Sequence, residues 1–196
     1  YGNASCGIHV VCVGSASNVS MANVEVSYNK GVTYAGLTVE TTGTVVLNKV
    51  TALMNAGRGI DINNDGAAFS RLVTIISSTA SGNGKEGIYV RSAGAITLSG
   101  VTASGNTLTG ADLLNSVITY PQVPQGITVL RSTFDLNGSN GLYVETLRNI
   151  TLTSINASEN FSHGVTALNN GSTIGSRILV NGTNRFYHNG KSTFGH

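Results

Sequence analysis

Charge is scarce in this sequence. Only 10% of the 196 residues are charged, where a soluble domain typically carries about 25%. Lys+Arg 11 against Asp+Glu 9 leaves a net charge of +2, so there is no basic surface of the kind a nucleic acid or an anionic membrane requires. Tryptophan is absent and proline occurs twice. With so little proline, the 25 glycines do not signal Pro/Gly-rich disorder, and a folded chain is expected. No apolar run approaches the roughly 18 to 20 residues of a membrane-spanning helix, so no membrane span is expected. The two cysteines, Cys6 and Cys12, cannot bridge within one extended strand, because the intervening segment at about 3.3 Å per residue exceeds disulfide reach. A pairing would need a turn or a second chain, and the alternative is two free thiols. The opening at Tyr1 leaves a processed chain and a piece of a longer one both open. The length suits one domain, 1–196, with an irregular last segment expected over 181–196.

What is present is self-similarity. The segments VTALMNAGRGIDI, STASGNGKEGIYV, VTASGNTLTGADL, STFDLNGSNGLYV and INASENFSHGVTA superpose. Each sets an asparagine (Asn55, Asn83, Asn106, Asn137, Asn160) four residues before a glycine (Gly59, Gly87, Gly110, Gly141, Gly164), and an apolar-x-apolar triplet follows. An earlier copy runs from Gly7 past Asn29 to Gly36, and a degraded one from Gly164 towards Asn189, making about seven turns. Glycine-to-glycine intervals of 29, 23, 28, 23, 31 and 23 residues describe a 23-residue unit lengthened in alternate copies. The insertions, AAFSR from Ala67 and VITYPQVPQ around Tyr120 with Pro121 and Pro124, read as loops outside a regular scaffold. Within a unit, β-branched residues alternate with polar ones over three short stretches bounded by Gly, Asn or Ser, which predicts three strands and leaves no room for a helix. Around Gly87 the inward positions are Ile88, Val90, Ile96, Leu98, Val101 and Ala103, with Tyr89, Arg91 and Thr97 outward. Equivalent positions form columns: Ile60, Ile88, Leu142 and Val165 on the first strand, and Ala52, Ala80, Ala103 and Ala157, broken by Phe134, on the third.

These units resemble the right-handed parallel β-helix repeats of the pectin-lyase-like superfamily over essentially the whole chain. The resemblance implies an all-β fold, a single-stranded right-handed parallel β-helix with three short strands per coil and an asparagine ladder at one turn. Asn29, Asn55, Asn83, Asn106, Asn137, Asn160 and Asn189 would form that ladder. Stacked side-chain amides hydrogen-bond along the axis at the inter-strand spacing of about 4.8 Å. A leucine-rich repeat has an overlapping period but requires leucine-rich L-x-x-L-x-L-x-x-N spacing, whereas valine, isoleucine and alanine dominate here.

Two residues after each glycine, the first strand presents His9, Thr38, Asp61, Tyr89, Asp112, Tyr143 and Thr166. Two further on come Val11, Glu40, Asn63, Arg91, Leu114, Glu145 and Leu168. The resemblance implies that sugar chains bind along such a sheet, with Asp61, Tyr89, Arg91, Asp112, Tyr143 and Glu145 as glycan contacts. The plain alternative is that tyrosine is a good exposed strand residue. Asp61 and Asp112 lie two coils apart, about 9.6 Å of axial rise, near the upper end of the carboxyl spacing for inverting glycoside hydrolysis. No specific enzyme set accompanies them. SHG at Ser162 and RIL at Arg177 echo polygalacturonase elements but lie too close together, and the acid and arginine clusters of pectate lyases are missing. No catalytic residue is assigned; were the chain an enzyme, it would be a polysaccharide lyase or glycoside hydrolase. In DINNDG, Asp61, Asn63, Asp65 and Gly66 match the opening of an EF-hand-type loop. The closing acid is replaced by Leu72, so calcium would need Glu40, Glu86 or Asp112 from adjoining coils; the alternative is a structural turn. His9, His163, His188 and His196 show no zinc spacing.

Eight sequons begin at Asn3, Asn18, Asn137, Asn149, Asn156, Asn160, Asn170 and Asn181, as an exported glycoprotein would carry. An extracellular or cell-surface location is expected. No amphipathic cap is legible at either end of the repeat array, although solenoids expose strand edges there. That favours a structural or adhesive module, a rod, sheath, filament or adhesin, which associates with itself or with an adjoining solenoid of a longer chain. The alternative partner is polysaccharide.

Overall fold

The computed structural model describes residues 3–12, 17–66, 71–115, 125–170 and 175–190. Among them there is no helix, and every strand pairing is parallel. The first sheet contains β1 (Ile8–Cys12), β3 (Leu37–Thr41), β5 (Ile60–Asn64), β8 (Ile88–Ser92), β10 (Ala111–Asn115), β12 (Leu142–Thr146) and β14 (Val165–Asn169), stacked in that order. The second stacks β2 (Val19–Glu25), β4 (Val45–Leu53), β6 (Val73–Ile76), β9 (Ile96–Ser99), β11 (Ile127–Leu130), β13 (Ile150–Thr153) and β15 (Ile178–Asn181), with β7 (Thr79–Ser81) paired to the far end of β4. Each first-sheet strand leads into a second-sheet strand, and each coil rests on the one before. The result is the expected β-solenoid.

The third strand is where the structure departs from expectation. Beyond β7 and the ends of β2 and β4, the third face is reduced to single bridges, Thr79 to Thr102, Thr102 to Thr133, Thr133 to Asn156 and Asn156 to Arg185. The reason lies in the backbone. Each coil carries two left-handed residues five apart: Asn23 and Tyr28, Lys49 and Met54, Ser77 and Gly82, Gly100 and Gly105, Arg131 and Leu136, Ser154 and Glu159. Each third stretch is thus confined to the four residues between two corners, which holds its pairing to a short ladder or a single bridge.

The predicted inward residues fill the interior. Ile88, Val90, Ile96, Leu98 and Ala103 are fully buried, and Val101 nearly so. The small column Ala52, Ala80, Ala103 and Ala157 is buried too, with Phe134 filling the one wider level. The outward column of the second sheet is Thr74, Thr97, Thr128 and Thr151 in adjacent strands.

The asparagine ladder runs at the corner before the first sheet. Nδ2 of each asparagine donates to Oδ1 of the next: Asn29 to Asn55 at 2.8 Å, Asn55 to Asn83 and Asn83 to Asn106 at 3.0 Å, Asn106 to Asn137 at 3.1 Å, and Asn137 to Asn160 and Asn160 to Asn189 at 3.0 Å. Each Oδ1 also accepts the backbone N–H of the preceding ladder asparagine, as Asn106 Oδ1 does from Asn83, and the second Nδ2 hydrogen goes to a carbonyl, as from Asn106 to Ala80. These buried amides are therefore satisfied on both sides. Asn3 extends the series, donating to Asn29 Oδ1 at 3.1 Å. The accompanying glycines are required by this packing rather than by an unusual φ. A Cβ on Gly87 would sit 2.6 Å from Asn106 Nδ2 and 2.7 Å from the Gly110 carbonyl. The degraded last copy follows the coil path as far as Asn189: Arg185 bridges to Asn156 and Asn189 joins the ladder.

Alternate coils differ at the corner between the two sheets. Thr41 and Ser92, in short turns, accept the N–H of Gly43 and Gly94 two residues on. In lengthened coils the same position holds Asn64 and Asn115, whose Nδ2 groups donate to the Gly43 and Gly94 carbonyls of the coil below. Most of the two insertions, 67–70 and 116–124 with both prolines, lies outside the described residues. In chain order both leave from this corner, beside the first-sheet face.

Candidate functional site

The two predicted outward columns hold their register. His9 pairs with Thr38, Thr38 with Asp61, Asp61 with Tyr89, Tyr89 with Asp112, Asp112 with Tyr143 and Tyr143 with Thr166. Glu40, Asn63, Arg91, Leu114 and Glu145 follow in the second column. The six residues expected to touch a glycan therefore share one sheet face, with Asp61 and Asp112 on either side of Tyr89.

A pairing that the sequence reading missed, Arg58 with Glu86, organises this face. Arg58 Nε donates to Glu86 Oε2 at 2.8 Å and its Nη1 to Asp61 Oδ2 at 2.9 Å. Its guanidinium carbon lies 3.8 Å from the centre of the Tyr89 ring. Burial opposes the arginine charge, but the bonds to Glu86 and Asp61 outweigh it and hold the pKa above its ordinary value. The available signal was positional: Arg58 and Glu86 immediately precede Gly59 and Gly87 in neighbouring units, with opposite charge. Arg58 covers one face of the Tyr89 ring, so this tyrosine supports the guanidinium in addition to being a candidate glycan contact. Burial also pushes its phenol pKa up, with Arg58 opposing.

Thr38, Glu40, Arg58, Asp61, Asn63, Tyr89 and Arg91 line a groove of about 270 Å³. Most of its ions are matched. Arg91 Nη2 lies 2.5 Å from Asp65 Oδ2, and His9 Nε2 lies 3.2 Å from Glu40 Oε1. In DINNDG the candidate calcium ligands have protein partners. Asp61 and Asp65 are both taken by guanidiniums, and Asn63 Oδ1 accepts the Asp65 N–H at 3.3 Å, closing a turn. Among the described residues no three His, Cys, Asp or Glu side chains converge as a metal-ligand set. Calcium would have to displace two arginines.

Next to the groove, on β10 and β12, the charge is unmatched. One carboxylate oxygen of Asp112 is buried without a hydrogen-bond partner among the described residues. Burial first, then Glu86 and more weakly Glu145, push the Asp112 pKa up to about 6, against the pull of Arg58. Tyr143 donates its hydroxyl to Glu145 Oε2 at 3.0 Å; burial and this bond raise its own pKa. Six of the nine acidic residues, Glu40, Asp61, Asp65, Glu86, Asp112 and Glu145, thus gather around one sheet face.

The remaining expectations fall elsewhere. Asn137 and Asn160 are buried ladder members, so a folded coil has no room for a glycan on either, a correction to two of the eight sequons. Asn3 contributes its amide to the ladder and Asn156 donates to Asp135. Asn18, Asn149, Asn170 and Asn181 are exposed. Cys6 and Cys12 are free. His9, His163 and His188 sit in different coils, and His196 is outside the described residues. At the last coil, Leu152, Phe161, Val165, Ala167, Ile178, Val180 and Phe186 help line a second, largely apolar hollow of about 640 Å³, away from the charged face.

No curated protein and no solved structure matches the chain. The right handed beta helix region matches over residues 59–195, the part that contains the groove's β5 and β8 and all of Asp112, Tyr143 and Glu145, and the chain belongs to that family.

Proposed function

We propose that this chain is an extracellular or cell-surface solenoid module that binds polysaccharide along its first-sheet face, the coils serving as a rigid support. The observation that carries the reading is the concentration of scarce charge. A chain with nine acids gathers six around one sheet face and fixes Arg58 between Asp61, Glu86 and Tyr89. Held donors and acceptors in a concave, partly apolar setting are what hydroxyl-rich ligands require. Binding is proposed, not turnover. A glycan array with the wild type and Arg58→Ala tests it: retention on at least one polysaccharide class, lost in the variant, is expected, and no retention on any class overturns it.

A second reading, stacking of the last coil on a second copy or on an adjoining solenoid of a longer chain, is favoured by the apolar hollow there. Ile178, Leu179 and Val180 are 44%, 41% and 52% exposed, more apolar surface than a lone strand edge ordinarily leaves uncovered. Sedimentation against concentration checks it. Mass should rise with concentration and fall to monomer for Ile178→Lys/Val180→Lys; a concentration-independent monomer removes it.

A further inference from the structure

The groove and the step beside it differ in how charge is balanced. Within the groove, Asp61 and Glu86 share Arg58, Asp65 holds Arg91, and Glu40 faces His9. One strand further the balance ends. Neither Asp112 nor Glu145 has a salt-bridge partner among the described residues, and they stand on neighbouring strands with Tyr143 opposite the one and hydrogen-bonded to the other. Buried polar oxygens nearly always have a donor, yet one Asp112 oxygen has none there. Two carboxylates beside an aromatic ring form a setting that suits an ammonium group, whose N–H donors can reach both and whose charge the ring's negative face also attracts. The whole face points the same way: six carboxylates against Arg58 and Arg91 leave −4 with His9 neutral, which repels any polyanion laid along it.

We infer that the polysaccharide taken by this face is an amine-bearing one, its hydroxyls lying in the groove and a protonated amine seated at Asp112, Tyr143 and Glu145, and that polyuronates and sulfated glycans are rejected. This rests on the glycan reading above. The raised pKa of Asp112 fits it, since a carboxyl held among acids and away from water gains most from an arriving cation.

The test compares three soluble oligosaccharides by titration calorimetry at near-neutral pH and low salt: a deacetylated amino-sugar oligomer, its fully N-acetylated counterpart and an oligogalacturonate. The deacetylated oligomer should bind on the order of five- to tenfold more tightly than the acetylated one, the sum of two partly exposed ion pairs, and the advantage should shrink in high salt. Asp112→Asn and Glu145→Gln should each remove part of that advantage, lowering the deacetylated oligomer's affinity more than the acetylated oligomer's. Equal affinity for the acetylated and deacetylated forms, or tighter binding of the oligogalacturonate, overturns the amine assignment while the glycan reading stands. Binding of none of the three overturns the amine assignment, and the glycan array then decides the glycan reading.

Discussion

The outer surfaces of the two sheets rest on the same interior and differ in almost everything else. On the second sheet the outward columns read Ser20, Val46, Thr74, Thr97, Thr128, Thr151, Leu179 and Ala22, Asn48, Ile76, Ser99, Leu130, Thr153, Asn181. None of these is ionisable. That is the surface a parallel coil needs for its own sake, with β-branched residues whose stiff χ1 suits the pleat. The first sheet stands on equivalent rungs, yet it carries Asp61, Tyr89, Arg91, Asp112, Tyr143 and Glu145 and draws in Arg58 and Glu86. Its chemistry goes beyond what coiling requires and costs desolvation, as Asp112 shows. The contrast teaches that function is to be sought in the outward residues of one face, and the shared interior is the control.

The largest effect should come from that shared interior and should abolish both faces together. Asn106→Ala leaves Asn83 N–H and Nδ2 without their acceptor, Ala80 O without the Asn106 amide, and Asn137 Oδ1 with only the backbone N–H of residue 106. Buried orphans of this kind cost on the order of 4 kcal/mol in sum, a large part of a domain's total stability. Gly87→Ala should be as damaging, because the new Cβ would meet the Ala80 carbonyl at 2.5 Å. Urea unfolding followed by circular dichroism measures both. A midpoint unchanged by either variant would mean that the ladder is not the common support of the two faces.

The next effect separates the faces. Arg58→Ala removes the partner of Asp61 and Glu86 and uncovers Tyr89; a loss of about 1 to 2 kcal/mol is expected, since the pairs are only half-buried. Polysaccharide binding should disappear with it. Thr97→Ala, at the equivalent level of the second sheet, should change stability by less than about 1 kcal/mol and leave binding intact. Binding that depends on Thr97 and not on Arg58 would reverse the assignment of the faces. Calcium should leave the melting temperature of the wild type and of Thr97→Ala unchanged, because Arg58 and Arg91 occupy the carboxylates of DINNDG.

How much of this was legible follows from what each residue type reveals. The repeat, the inward rungs, the ladder and the two outward columns were readable because a coil imposes period two along the strand and a fixed return along the chain. The pairing of Arg58 with Glu86 escaped because it spans 28 residues and lies one position outside the strand triplets. The degenerate third face escaped for a different reason. Gly82, Gly100 and Gly105 mark left-handed corners openly, but Met54, Arg131 and Leu136 adopt the same conformation without the residue type that announces it. Buried sequons misled because Asn-x-Ser/Thr is a local pattern, whereas Asn137 and Asn160 are claimed by neighbours one coil away.

Titration sharpens the contrast further. Asp112 keeps its proton up to about pH 6 in the folded chain, while in the unfolded chain it loses it near the ordinary value of about 3.9. Between those limits the folded state binds more protons, so stability falls as pH rises from about 4 to 6 and the deficit persists above it. Asp112→Asn removes that deficit. It should be more stable than the wild type above pH 6 by about 1 kcal/mol, a figure reduced for partial exposure, and equal to it near pH 4. Thermal melts across this range check the sign. A variant less stable at pH 7 would show that the Asp112 carboxylate is stabilised by a partner that the geometry lacks.

The smallest effect tests whether the plain side of the coil can be improved without touching the charged one. Leu136 has φ 60° and an exposed side chain, so it bears a left-handed backbone without burying its apolar surface in return. Such a conformation costs a non-glycine residue about 1 to 2 kcal/mol, and glycine avoids it at the expense of a more flexible unfolded chain, about 0.5 to 1 kcal/mol. The difference favours Leu136→Gly by about 0.5 kcal/mol, a melting temperature higher by a few degrees at most. Glycan affinity should not move, because Leu136 lies at the corner before the ladder and is not among the residues lining the Arg58 groove. A gain in stability accompanied by weaker binding would mean that the corner and the first-sheet face are mechanically coupled, and the two surfaces could no longer be treated as independent tenants of one scaffold.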